Sequence, residues 1–277
     1  MPESPVYRPH DEAPAYARLR ALEASGAWKG VRAHHFEYVS RGDFVVGRIY
    51  LSDAAGRGPI PLVLLAPDTA ESAASESLEF AADWVRQGQA VAILDLPLHG
   101  QRASPKLSER LFQGIRALER GERLDADTRA LVEEFTRQST SDVIRGLDAL
   151  TALDQIDVDR IALVGLGLGG VVCGYVVAHD ERPIACVYAG GTARFADPDL
   201  DAAKHLANRR RHASCSTLFV TGARTSEISA DTTRAFYDAA PEPKQLIEVS
   251  AGAEAAGGIA PEAASEIARF LARHLGD

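Results

Sequence analysis

At 277 residues the chain is long enough to bury one substantial core. A composition of 46% hydrophobic and 25% charged residues is that of a globular domain. A formal net charge of -9 leaves no basic excess for a nucleic-acid surface, and no stretch approaches the ~20 apolar residues that span a bilayer.

The opening "MPESPVYRPHDEAPAY" has neither a basic start nor an apolar run. No signal peptide is therefore expected, and the chain reads as cytoplasmic. Cys173, Cys186 and Cys215 are odd in number and widely spaced. They match no metal-ligand spacing, so neither a metal nor a cofactor is expected. Cys173 and Cys186 fall in apolar runs and read as buried thiols.

Taken in order, residues 14–25 ("PAYARLRALEAS") predict a short helix stopped by Gly26, within an N-terminal helical extension over 1–30. "VRAHHFEYVS" and "FVVGRIYLSD" predict an antiparallel hairpin around the "RGD" turn at 41–43. "IPLVLLAP" (60–67) is a continuous apolar run, as in a strand buried on both faces. Glu76 to Arg86 has helical spacing. Ser72 and Ser75, just before it, are placed to cap it.

"AVAILDLP" (90–97) and "RIALVG" (160–165) are further buried strands, and "PIACVYAG" (183–190) and "STLFVTG" (216–222) add two more. Ser141 to Leu153 carries Val143, Ile144, Leu147, Leu150 and Leu153 on one helical stripe. Helices follow at about 168–179 and 231–240, and "KQLIEVS" (244–250) is the last strand. Pro261 opens a final helix with Ile267, Phe270, Leu271 and Leu275 on one face. Strands alternating with helices predict an α/β fold: a mostly parallel central sheet, helices on both faces, and the antiparallel hairpin at the N-terminal end. Domain organisation is then a single domain over 31–277. Residues 103–138 interrupt it with two charged, helix-like pieces. A cap over a site would be inserted there, and a plain surface excursion fits the same residues.

The stretch "IALVGLGLGG" (161–170) is the one local pattern with chemistry attached. Gly165, Gly167 and Gly170 satisfy G-x-G-x-x-G between a strand and a helix, as in dinucleotide-binding proteins. That fingerprint also needs an acid about 20 residues on, at the end of the next strand, to hold a ribose. Here that strand ends in "YAGG". Three strands also precede the turn, where a dinucleotide domain opens with it.

Over most of 31–275 the chain instead resembles the α/β-hydrolase fold superfamily, in its dienelactone-hydrolase-like and peptidase-like esterase branch. "DLPLHGQR" (95–102) is similar to the family's D-x-P-G-H-G segment. "IDVDRIALVGLGLGG" is similar to the strand and elbow carrying G-x-S-x-G, "TLFVTGARTSEIS" to the strand and loop of the catalytic acid, and "KQLIEVSAGAEAAGG" to those of the histidine. The segments come in family order with family-like spacing.

The resemblance implies a Ser-His-Asp triad, and the matching positions hold other residues. Gly167 stands at the nucleophile, Thr225 at the acid and Glu254 at the histidine. No histidine occurs from 213 to 273. In place of a glycine-rich oxyanion loop the chain reads "APDTAESA" (66–73). Pro67 there has no N–H, and Asp68 and Glu71 would oppose an oxyanion if they pointed inward. His99 is present in the family alongside a full triad, so a structural or supporting role is expected of it.

The expectation is a non-hydrolytic protein of this fold, binding a small molecule or a protein partner at the former active site, with no nucleic acid and no membrane involved. Asp68, Thr69, Glu71, His99, Leu166, Leu168 and Glu227 are the candidate pocket residues. If Asp68, Glu71, Glu227 and Glu254 converge, the site favours a cation; if they face water, it does not. The alternative is an active enzyme, either an esterase with an unrecognised nucleophile or a lyase-like catalyst using Glu254 as acid and base.

Overall fold

Five apolar runs place the centre of the sheet. The computed structural model describes residues 14–53, 58–190, 215–222, 230–249 and 259–276. Among these, β4 (Ile60–Ala66) and β5 (Ala90–Leu94) are buried at every position, as strands covered on both faces must be. β6 (Ile156–Leu166), β7 (Pro183–Ala189), β8 (Ser216–Thr221) and β9 (Lys244–Glu248) continue the parallel part of the sheet. β2 (Arg32–Ser40) and β3 (Asp43–Leu51) form the expected hairpin, and β3 joins β5 antiparallel.

With β1 (Arg18–Leu22) at one edge, the strand order is β1-β2-β3-β5-β4-β6-β7-β8-β9. Side chains alternate between two cores. Leu62 and Leu64 of β4, with Ile161 and Leu163 of β6, face one of them, which contains α3 (Ala126–Thr151) and α4 (Leu168–His179). Val63, Leu65, Ala162 and Val164 face the other, which contains α1 (Ala82–Arg86) and the C-terminal helix (Pro261–Leu275). That last helix buries the expected Ile267, Phe270, Leu271 and Leu275. The remaining helices are α2 (Pro105–Glu119), which packs on α3, and α5 (Ala230–Ala239) beside β8 and β9. The C-terminal helix is thus α6.

Three local expectations are corrected. Residues 18–22 form a strand rather than a helix within an N-terminal helical extension, because pairing with β2 over Arg18↔Glu37 to Leu22↔Ala33 satisfies their backbone. Tertiary pairing overrides the helix propensity of an Ala-, Leu- and Arg-rich run. The helix at 76–86 is 3-10 over Glu76–Ala81 before α1 begins. The helix expected at 141–153 starts fifteen residues earlier, at Ala126.

Asp125 explains that early start. Its carboxylate accepts the N–H groups of Asp127 and Thr128, an N-cap that satisfies the first turn. Hydrogen bonds from Thr128 hold the Asp125 carboxyl down at about 2. The second charged piece of 103–138 is therefore the first half of α3. Among the described residues, no helix is long and apolar enough to cross a membrane.

Candidate active site

The chain enters β4, crosses to β5 on one side, and returns to β6 on the other. The loops leaving β4 and β6 therefore diverge, opening the crevice in which α/β sheets place their ligands. Asp68 leaves β4 at that point, and Gly167 leaves β6.

Gly167 has φ 49° and ψ -115°, between the end of β6 and the first turn of α4. A side chain is strained in this region. Two flanking glycines let the turn close. A Cβ on Gly169 would lie 2.1 Å from the Ala66 carbonyl oxygen, and one on Gly165 would lie 2.5 Å from the Gly170 α-carbon. Backbone of β4, β6 and α4 is thereby brought into contact, and Leu168 N–H is left directed into the crevice. This is the geometry of a nucleophile elbow.

The crevice is filled from the opposite loop. A Cβ on Gly167 would fall 2.0 Å from Asp68 Oδ1 and 2.2 Å from its Cγ. The carboxylate of Asp68 therefore occupies the space that a side chain at 167 would need. Asp68 Oδ1 accepts the Leu168 N–H at 2.9 Å and the Thr69 N–H at 2.7 Å. One donor follows the elbow residue and the other comes from the loop after the neighbouring strand. Those are the two sources from which this type of site builds an oxyanion hole.

Asp68 is anchored at its backbone too. Its N–H donates to Glu71 Oε2 at 2.9 Å, and Glu71 Oε1 accepts the Ser77 hydroxyl at 2.6 Å. Ala70, between them, has φ 65°, and the Glu71 N–H donates back to the Asp68 carbonyl. Ser72 and Ser75, expected to cap the next helix, brace this loop instead. Ser75 Oγ accepts the Ser72 N–H and Ser72 Oγ the Ala74 N–H, and Ser75 makes no side-chain cap.

A second carboxylate ties this loop to the one leaving β5. Asp95 is buried; its Oδ1 accepts the Ala73 N–H at 2.7 Å and its Oδ2 the Gln101 N–H at 2.9 Å. The signal for this role was its position directly after a buried strand, in "DLPLHGQR". Arg102 then donates to the Asp95 carbonyl and to Asp142 Oδ2 at 2.7 Å. Asp142 is almost wholly buried on α3, and burial pushes its carboxyl up despite the Arg102 guanidinium. Neither this pair nor the Tyr38 hydroxyl, which donates to the Asp142 carbonyl at 2.6 Å, stood out in the sequence.

His99 is 1% exposed, between Phe112 of α2 and Phe135 of α3. Its Nδ1 donates to the Pro97 carbonyl at 2.8 Å, which leaves the lone pair on Nε2. Nε2 is buried without a hydrogen-bond partner among the described residues. Burial holds the imidazole below the usual histidine range. These contacts make His99 a neutral wedge under the helical pieces.

Of the expected site residues, Asp68, Thr69, Glu71, Gly167 and Leu168 come together. Leu168 contributes its N–H, since its side chain and that of Leu166 lie in the two cores. Cys173 is buried in α4 as expected. Thr225, Glu227 and Glu254 lie outside the described residues. Of the four acids whose convergence was posed, Asp68 and Glu71 lie among the described residues, on a single loop, and the carboxylates of both take main-chain N–H groups. Among the described residues, no group of three His, Cys, Asp or Glu side chains is arranged to hold a metal ion.

No protein-family model matches the sequence, and no curated protein matches it. Solved structures do match the fold. An acetyl xylan esterase from Paenibacillus sp. R4 superposes with a TM-score of 0.64 at 16% identity, over 95% of this chain and 90% of that one. Acetyl xylan esterase 1 from Thermoanaerobacterium sp. JW/SL YS485 gives 0.67 at 14% identity, over 96% and 89%. A dienelactone hydrolase-like promiscuous phosphotriesterase from metagenomic libraries gives 0.59 at 19% identity, over 95% and 100%. The chain has the α/β-hydrolase fold.

Proposed function

We propose that this protein is a non-hydrolytic member of its fold, whose former active-site crevice between the ends of β4 and β6 is closed by its own Asp68. The observation that carries the reading is the place of the Asp68 carboxylate. It fills the volume of a nucleophile at 167 and takes both N–H donors that would stabilise an acyl-transfer oxyanion. A negative charge fixed on those donors opposes a second one developing there. Glycine at 167 supports the same reading, since it can form no acyl intermediate. In the sequence, Thr225 and Glu254 at the acid and histidine positions agree with it.

The test is labelling with a fluorophosphonate probe, alongside turnover of p-nitrophenyl acetate and butyrate. The expected result is no labelled serine and no turnover above that of the denatured protein. A labelled serine would establish hydrolysis by another nucleophile. Turnover without labelling, removed by Glu254→Gln, would establish the acid–base alternative.

A further inference from the structure

A second feature lies away from the elbow, on the face of the N-terminal strands that carries Tyr50. The register sets Arg20 of β1 opposite His35 of β2, and His35 opposite Arg48 of β3. Residues directly opposite share a face, so three basic side chains stand abreast across three strands. The two arginines flank the imidazole from the strands on either side of it. Among the described residues, neither arginine has a carboxylate partner within ion-pair distance, whereas Arg18 in the next row pairs with Glu37 at 3.5 Å. The row stands out in a chain whose net charge is -9.

Arg20 and His35 of this row line a pocket of about 320 Å³ with Arg18, Glu37, Val46 and Gln101 among others, while Arg48 lies beyond His35 and hydrogen-bonds with Tyr50. That volume is at the lower end for small-molecule sites. Gln101 comes from the turn that Asp95 anchors, so the wall opposite the hairpin is held in place. We propose that this pocket binds a small dianionic oxyanion, an inorganic phosphate or a phosphate monoester, between Arg20 and His35 with Arg48 behind. Guanidinium groups present paired N–H donors that match phosphate oxygens. A neutral imidazole between them offers one further donor, and two when protonated.

The electrostatics are consistent with that occupant. Burial and the Arg48 and Arg20 charges hold His35 below the ordinary histidine value, opposed by Asp95. A dianion in the pocket would offset both arginines and favour the imidazolium. Binding of the dianion should therefore raise the His35 pKa.

The experiment follows the His35 ring signal by NMR across a pH titration of the full chain. Inorganic phosphate and glycerol 3-phosphate are the probes, with sodium chloride at matched ionic strength as control, because salt alone screens the arginines. The expected result is a saturable upward shift of ~0.5–1 unit beyond the chloride control. Arg20→Gln, an exposed position, should weaken the binding by roughly tenfold, the scale of one charge-assisted contact. Tighter binding of glycerol 3-phosphate identifies a monoester site, and equal binding a site for free phosphate. A shift no larger than that in chloride, or one undiminished in Arg20→Gln, overturns the proposal.

Discussion

Asp68 Oδ1 lies 2.9 Å from the Leu168 nitrogen and 2.0 Å from where a Cβ on Gly167 would stand. Asp68 and a side chain at 167 therefore exclude one another. Gly167→Ser should lose roughly 1–3 kcal/mol to backbone strain, and more to the overlap with the carboxylate. Combining it with Asp68→Gly should recover the overlap but not the strain. Urea denaturation of both single variants and the double variant measures the coupling. Additive losses would show that Asp68 moves aside at little cost.

Arg102 and Asp142 form a pair whose side chains are 11% and 1% exposed. Arg102 also holds the Asp95 carbonyl, so the pair links α3 to the turn after β5. Removing one partner of a buried pair leaves a charge without compensation, at a cost of about 3–5 kcal/mol. Arg102→Met should lose about that much. Arg102→Met with Asp142→Leu should lose less, because no buried charge remains. Chemical denaturation of the two variants separates the outcomes, and a double variant less stable than the single one would refute the argument.

The parallel core was readable because strands buried on both faces must be continuous apolar runs, as "IPLVLLAP" and "AVAILDLP" are. β1 was not readable. "RLRAL" is made of good helix formers, and only the register with β2 tells it to extend. The full length of α3 was obscured because polar residues such as Ser139, Thr140 and Ser141 are buried within it, where periodicity expects apolar ones. At the site, the glycine turn could be recognised and the inward-pointing Asp68 could be posed only as a condition. A loop acid has no periodicity, and the positive φ of Ala70 that turns this loop leaves no compositional trace.

His99 makes stability depend on pH. Burial holds its pKa below the ordinary 6.5, so on acidification the unfolded chain takes up the proton first. Its contribution is complete above that value and declines as pH falls below it, down to the folded-state pKa. Stability measured by urea denaturation should therefore drop as pH falls below about 6.5. His99→Gln should lower stability at neutral pH and flatten that drop. An unchanged slope in the variant would assign the drop to other groups, with His35, also depressed, the first to test.

Asp68→Ala asks what the two donors at the elbow bind when the chain's own carboxylate is removed. The Leu168 and Thr69 N–H groups lose their acceptor. Leaving such donors unsatisfied costs ~1–3 kcal/mol each, less where water reaches them. The variant should be less stable by about that amount, and acetate should restore part of the loss by occupying the same donors. The gain should follow RT ln(1 + [L]/Kd), so its dependence on acetate concentration yields the affinity directly. Sodium chloride at equal ionic strength provides the control, and the parent protein should show no acetate-specific gain. Thermal denaturation across an acetate series decides the matter. A gain in the variant confined to acetate would identify the elbow as a carboxylate-binding hole that Asp68 ordinarily fills, whereas equal responses in both proteins would show that the two N–H groups hold Asp68 only incidentally.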